Sequence, residues 1–132
     1  MSQHRFPIRI YYEDTDFSGN VYHAAYLKFL ERGRTEFLRA SGIHHSELAK
    51  QGLAFAVRTM QIDFIAPAHI DDLLTVTTAP LGATGARLNL EQTILREDVL
   101  LLKASLTVVA IKTGGGAARL PASLRTLGAS KC

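Results

Sequence analysis

The chain has one cysteine, four prolines and no long apolar run, and each shortage removes a class of protein. Cys132 alone can close no disulfide within the chain and cannot build a cysteine-based zinc site, so a reducing compartment is expected. The longest purely aliphatic run, residues 99–102, is far too short to span a bilayer, and residues 1–7 carry no apolar signal core. A cytoplasmic protein without a transmembrane segment is therefore expected. Lys and Arg exceed Asp and Glu by only 15 to 12 and are scattered rather than gathered in a stripe, so nucleic acid is not an expected partner. The small positive excess does suit a nucleotide-bearing polyanion or an acidic carrier protein. There is no Gly-x-Ser-x-Gly elbow and no HxxxH or HExxH pair, and Gly114 to Gly116 lack the following Lys and Ser/Thr of a phosphate loop. Serine hydrolase and nucleotide hydrolase readings fall away together.

What is present fits one globular domain over residues 1–132, with 47% apolar and 20% charged residues and no internal repeat. Phe6, Ile8, Ile10 and Tyr12 alternate with more polar neighbours, which predicts a half-buried strand over 5–12, and Pro7 puts it at or near a sheet edge. A long helix is predicted over 22–41, with Tyr26, Phe29, Leu30, Gly33 and Phe37 on one face. Gly33 costs about 1 kcal/mol of helix propensity against Ala, so a close approach by another backbone or a sheet is the expected reason for it. Gly42 ends that helix, and a short one follows over 44–50, with Ser46 as a possible cap.

From residue 53 the pattern is β. Strands are predicted over 53–65, 73–80, 86–96 and 99–112, rich in Val, Ile, Leu and Thr. The links at 67–72, 82–85 and 97–98 are short, which favours antiparallel neighbours, and residues 120–127 could add one helical turn. One strand, one long helix and four more strands make an α+β domain in which the sheet curls around the helix. Its open edges, above all the largely apolar strand at 53–65, invite self-association.

The chemistry concentrates in residues 11–23, Tyr-Tyr-Glu-Asp-Thr-Asp-Phe-Ser-Gly-Asn-Val-Tyr-His. Asp16 precedes a turn and then a helix start, where the first N–H groups, around Tyr22, His23 and Ala24, lack intrahelical partners and carry the positive dipole end. A carboxylate facing such donors can attack a thioester or ester carbonyl, or activate water to do so, while the donors hold the oxyanion. An equally ordinary role for Asp16 is to cap the turn or the helix. His23 could orient Asp16 or protonate a leaving thiolate, or else bond a neighbouring main-chain oxygen. Tyr12 could point into the site or be a plain core aromatic, while Glu13 and Asp14 read as structural. Asp14, Asp16 and His23 could together offer ligands to a metal, though Asp-x-Asp is a common turn sequence. His44, His45 and His69 read as structural or solvent-facing. Glu31 and Glu36 read as surface partners of Arg32, Arg34 and Arg39, or as intersubunit contacts.

The series Tyr11-Tyr12-Glu-Asp-Thr-Asp16-x-x-Gly19-x-Val21-Tyr22-His23-x-x-Tyr26-Leu27-x-x-x-Glu31-x-x-Arg34-Thr35-Glu36, with Gln61-Ile-Asp-Phe-Ile65-x-Pro67-Ala68-x-Ile70-Asp71-Asp72-x-Leu74-x-Val76, resembles the YbgC-like acyl-CoA thioesterases of the 4-hydroxybenzoyl-CoA thioesterase group. The likeness covers about residues 8–111. It implies a hotdog fold, one long central helix wrapped by a five-stranded antiparallel sheet, assembled as a homodimer or homotetramer. It further implies hydrolysis of an acyl-CoA substrate with no metal and no organic cofactor. Asp16 matches the family's catalytic aspartate, Tyr12 its tyrosine ahead of the acidic cluster and His23 its helix-start histidine. The main chain at His23, with Gly19 and Tyr22, would polarise and position the thioester carbonyl. Phe17, Ser18 and His69 depart from the family pattern. The alternative function is a non-catalytic acyl-CoA or acyl carrier protein partner linked to cell-envelope machinery.

Overall fold

The computed structural model describes residues 3–125, so Cys132 and the end of the closing turn lie outside it. Strand β1 (His4–Arg9) is followed by a single 3₁₀ turn (Tyr12–Asp14) and then by helix α1 (His23–Ala40) and helix α2 (His45–Lys50). Strands β2 (Leu53–Phe64), β3 (Leu73–Ala83), β4 (Arg87–Arg96) and β5 (Val99–Lys112) come next, and the short helix α3 (Ala122–Arg125) closes the described chain. The five strands form one antiparallel sheet in the order β1-β3-β4-β5-β2, and this sheet wraps the 18-residue α1. This is the arrangement that the sequence resemblance implies. Among the described residues, no helix is long and apolar enough to cross a membrane.

The sheet curls because three of its pairings slip register, between Val57 and Thr59, between Pro80 and Gly82, and between Ile94 and Leu95. Its inner face follows a period of two: Leu88, Leu90, Gln92 and Ile94 of β4 are all buried. Cross-strand polar pairs occupy the outer face, among them Thr77 with Thr93, and Thr107, whose Oγ1 donates to Asn89 Oδ1 at 2.7 Å. Against the inner face α1 buries Ala25, Tyr26, Phe29, Leu30, Gly33, Phe37 and Leu38, the stripe expected from its spacing.

At Gly33 the helix lies close against the sheet. A β-carbon there would run into Val76 Cγ1 of β3 and stand 3.2 Å from Val76 Cβ, so the obstacle is a sheet side chain rather than a backbone. Beside it, the buried Gln92 amide donates to the Leu30 carbonyl at 3.0 Å and to Thr78 Oγ1 at 2.9 Å, and its oxygen accepts from Arg34 Nη1 at 3.2 Å. One polar residue on an apolar face is thus fully satisfied and fixes the helix axially. The far end of α1 closes with Gly42 in the left-handed region (φ 86°), its N–H bonded to the Arg39 carbonyl and that of Ile43 to the Leu38 carbonyl.

Four expectations change. The first strand ends at Arg9, and Tyr12 leaves it for the 3₁₀ turn, 81% exposed and so no core aromatic. The link at 67–72 joins no neighbours, because β2 pairs β5 while β3 pairs β1 and β4; the chain crosses from the edge strand β2 to β3, which lies next to the opposite edge. α2 has His44 at its N-cap with no side-chain hydrogen bond, so Ser46 does not cap it. Arg34 is partly buried against Gln92, not a surface cation, and burial lowers its pKa against the opposing pull of Glu31.

Substituting Gly33→Ala gains helix propensity but forces a methyl into Val76, an overpacking that costs about 1–3 kcal/mol. Urea unfolding should show a net loss of stability; a variant as stable as the parent would contradict the packing account.

Candidate active site

The acidic stretch folds into a tight hairpin end. Thr15 bridges Val21, the Asp16 N–H bonds the Asn20 carbonyl at 2.9 Å, and the Gly19 N–H returns to the Asp16 carbonyl at 3.0 Å. Gly19 takes φ 85°, with open space where its β-carbon would be, so backbone conformation alone explains the glycine. It serves the turn.

Asp16 does cap this turn: Oδ1 accepts the Ser18 N–H at 2.8 Å and the Ser18 hydroxyl. Among the described residues, no hydrogen bond engages Oδ2. The carboxylate is solvent-exposed, and the Ser18 hydroxyl first, then the Ser18 N–H, hold its pKa below the ordinary 3.8. Capping and chemistry are therefore compatible, because one oxygen holds the turn and an ionised second oxygen is left over.

Helix α1 begins beside this carboxylate with Tyr22 as N-cap, a residue whose side chain makes no capping bond. The Tyr22 N–H points to the Asp14 carbonyl at 3.4 Å and the Ala25 N–H to the Tyr22 carbonyl at 3.0 Å. Among the described residues, no acceptor meets the N–H groups of His23 and Ala24. Tyr22 thus leaves the set of free donors expected from sequence, and His23 and Ala24 remain.

Asp16, Tyr22, His23, Tyr26, Phe64 and Pro67 line a cavity of about 400 Å³. The His23 ring lies over Phe64, the last residue of β2, with centroids 4.5 Å apart and planes tilted by 31°, and Tyr26 meets the same ring at 5.7 Å. Tyr26 Oη accepts the Ala68 N–H at 3.0 Å, and burial raises its pKa. Phe64 and Tyr26 are site residues that sequence reasoning did not pick, although both lie in the two blocks that carry the family resemblance. Tyr12 is absent from the cavity lining, so within one chain the structure brings Asp16, Tyr22 and His23 together and leaves Tyr12 outside.

Asp14 is committed to the local backbone, its Oδ2 accepting the Tyr11 N–H at 2.9 Å. Among the described residues, no group of three His, Cys, Asp or Glu side chains converges as a metal site would require. A second cavity of about 440 Å³ lies along the C-terminal half of α1, between Glu31, Arg34 and Thr35 and the apolar Phe55, Val57 and Leu90. Both cavities touch β2, one near each end of the strand.

Residues 18–103 match the family model of the thioesterase superfamily. The chain is 46% identical over 110 residues to the acyl-CoA thioesterase YbgC of Haemophilus influenzae, covering 83% of this chain and 81% of that protein. It is 43% identical over 108 residues to the acyl-CoA thioester hydrolase YbgC of Escherichia coli O6:H1, covering 81% of each. The crystal structure of a probable thioesterase from Bartonella henselae superposes with a TM-score of 0.87 at 46% identity, covering 91% of this chain and 100% of that one.

Since the Ser18 hydroxyl is the largest influence lowering the Asp16 pKa, Ser18→Ala should raise it toward 3.8, as read by NMR titration of the carboxyl carbon. A lowered folded-state value favours the folded protein above the unfolded pKa, and that contribution disappears as pH falls through the folded value. An unmoved Asp16 titration in the variant would refute the assigned cause.

Proposed function

The chain belongs to the thioesterase superfamily, and from that premise we propose that it hydrolyses an acyl-CoA thioester to the free acid and CoA, with Asp16 as general base or nucleophile. The observation that carries this reading is an ionised carboxylate with one oxygen uncommitted, on the same cavity wall as a helix start whose first two N–H groups lack acceptors. The thioester carbonyl oxygen would accept from the His23 and Ala24 N–H groups, where the helix dipole favours developing negative charge.

In the general-base course, Asp16 takes a proton from water as the water oxygen bonds to the carbonyl carbon. The carbonyl electron pair moves onto oxygen; its return breaks the C–S bond, and the CoA thiolate takes up the proton. In the nucleophilic course, Asp16 itself forms the C–O bond and expels the thiolate, and water then opens the mixed anhydride. Neither course needs a metal or an organic cofactor. His23, stacked on Phe64, is suited to hold the pantetheine sulfur beside the helix start. An acyl-CoA substrate is in keeping with the cytoplasmic location expected from the sequence.

We further propose that two copies complete the site. β2 is a 12-residue edge strand with no neighbour on its outer side among the described residues, and Phe64 and Ile65 at its end are about half exposed (47% and 54%). Antiparallel pairing of two such strands about a two-fold axis near Met60 would set the 55–57 end of one against the 63–65 end of the other. The cavity beside Glu31, Arg34 and Val57 in one copy would then adjoin the Asp16 cavity of the second.

Asp16→Asn should lower kcat by about 10² to 10⁴, read as thiol release from a panel of acyl-CoAs, with His23→Ala costing less. Turnover equal to the parent would end the Asp16 assignment, and tight acyl-CoA or acyl carrier protein binding with no thiol release would favour the binding-only alternative. Val57→Glu, which puts a charge on the β2 edge, should yield a monomer by sedimentation together with lost activity. A parent protein fully active as a monomer would refute the shared site.

A further inference from the structure

Asp16 sits on a turn with no packing of its own. The next residue, Phe17, is 104% exposed, and among the described residues the Asp16 side chain takes its hydrogen bonds from Ser18 in the same turn. Whatever fixes the carboxylate must therefore hold the turn from outside. The crossing segment between β2 and β3 does so. The Val21 N–H donates to the Ala68 carbonyl at 2.9 Å, the Ile70 N–H to the Gly19 carbonyl at 3.3 Å, and Asn20 pairs with His69 as an isolated bridge. A side-chain contact joins the same pair, His69 Nδ1 to Asn20 Oδ1 at 2.7 Å. The amide oxygen can only accept, so Nδ1 carries the proton.

His69 is itself held. Its main-chain N–H donates to Asp72 Oδ2 at 2.9 Å, and the Asp72 main-chain N–H returns to the His69 carbonyl at 3.1 Å. Arg96 from β4 reaches the same Asp72 oxygen at 3.0 Å and the Pro67 carbonyl at 3.2 Å. Arg9 Nη1 donates to the Asp71 carbonyl at 2.7 Å, and Asp71 adopts φ 70°, a left-handed conformation sustained by these ties. The Ala68 N–H bond to Tyr26 Oη fastens the segment to α1 as well. The bracket is thus anchored on β1, β4 and α1, and it meets the Asp16 turn through the main chain of Gly19 and Val21 and through Asn20, where a side-chain contact is added.

We infer that His69 is a positioning residue for the reaction: its ring, carried on a main chain that Asp72 and Arg96 hold in place, bonds Asn20 and so keeps the Asp16 carboxylate aligned with the start of α1. The inference rests on the reading of Asp16 given above. Because Asn20 also accepts the Asp16 N–H through its carbonyl, a loosened Asn20 moves the turn as a whole and slackens the Ser18 bonds with it. Small misplacements of a catalytic group cost rate out of proportion to the energy involved.

The test compares His69→Ala, His69→Asn and Asp16→Asn in the full chain, by thiol release from one acyl-CoA across pH and by thermal unfolding. His69→Ala should lower kcat about tenfold with KM little changed, and move the acid limb of the kcat/KM profile upward as Asp16 loses its Ser18 bonds. Asn places an N–H donor close to the position of Nδ1, so His69→Asn should recover most of the rate, and neither variant should change Tm by more than about 2 °C. His69→Ala with parental kcat and acid limb, beside an inactive Asp16→Asn, would overturn the positioning role alone. His69→Asn as impaired as His69→Ala would overturn it too, since bulk rather than hydrogen bonding would then matter. A fully active Asp16→Asn would remove the reading beneath it and the inference with it.

Discussion

The seat of α1 on the sheet is the constraint from which the site follows. Gly33 lets the helix approach until Val76 touches its backbone, and Gln92 fixes it along its axis by binding the Leu30 carbonyl. Together they leave the helix little freedom to slide or rise. Its N-terminus is thereby set at the place where the Asp16 turn and the end of β2 also arrive. A shallower helix would lift His23 off Phe64 and open the cavity to solvent on one more side.

Against that rigid seat, the start of α1 is left incomplete. An Asn, Asp, Ser or Thr at the N-cap would bind one of the free N–H groups and add roughly 0.5–2 kcal/mol of stability. Tyr22 stands there instead, and the bonds that a cap would make go unmade. Departures from local rules concentrate at functional sites, and an uncapped helix start beside a carboxylate whose pKa its neighbours lower is the departure on which the proposed site rests. The turn shows the same economy, since one Asp16 oxygen holds the loop together and the other remains available.

The sheet order links these parts over long distances in sequence. Because β3 pairs β1 rather than β2, residues 65–72 must cross the mouth of the sheet, and on the way they bind both the Asp16 turn and Tyr26. The same order leaves β2 on the outside with its apolar end beside the site. One topological choice thus supplies the bracket beneath the turn and leaves exposed the edge on which the proposed pairing of two copies rests.

The sequence by itself determined the elements, the face of α1 that is buried, the role of Gly42 and the concentration of chemistry in residues 11–23. These follow from local rules: a period of two or of 3.6, a glycine forced into a left-handed conformation, short polar residues in turns. The long match to a known family made the thioesterase chemistry legible as well. What only the tertiary structure decided is which elements meet. The link at 67–72 looked like a hairpin because its length is that of one, yet strand pairing is settled by the burial of faces far apart in the chain. Tyr12 had the parity of a core residue, but the backbone turns into a 3₁₀ helix just where it stands. Gln92, Phe64 and His69 carry no local signature, because each acts through a partner 41 to 62 residues away, Leu30 for the first, His23 for the second and Asn20 for the third. Distance along the chain hides such pairs, and the fold alone brings them within bonding range.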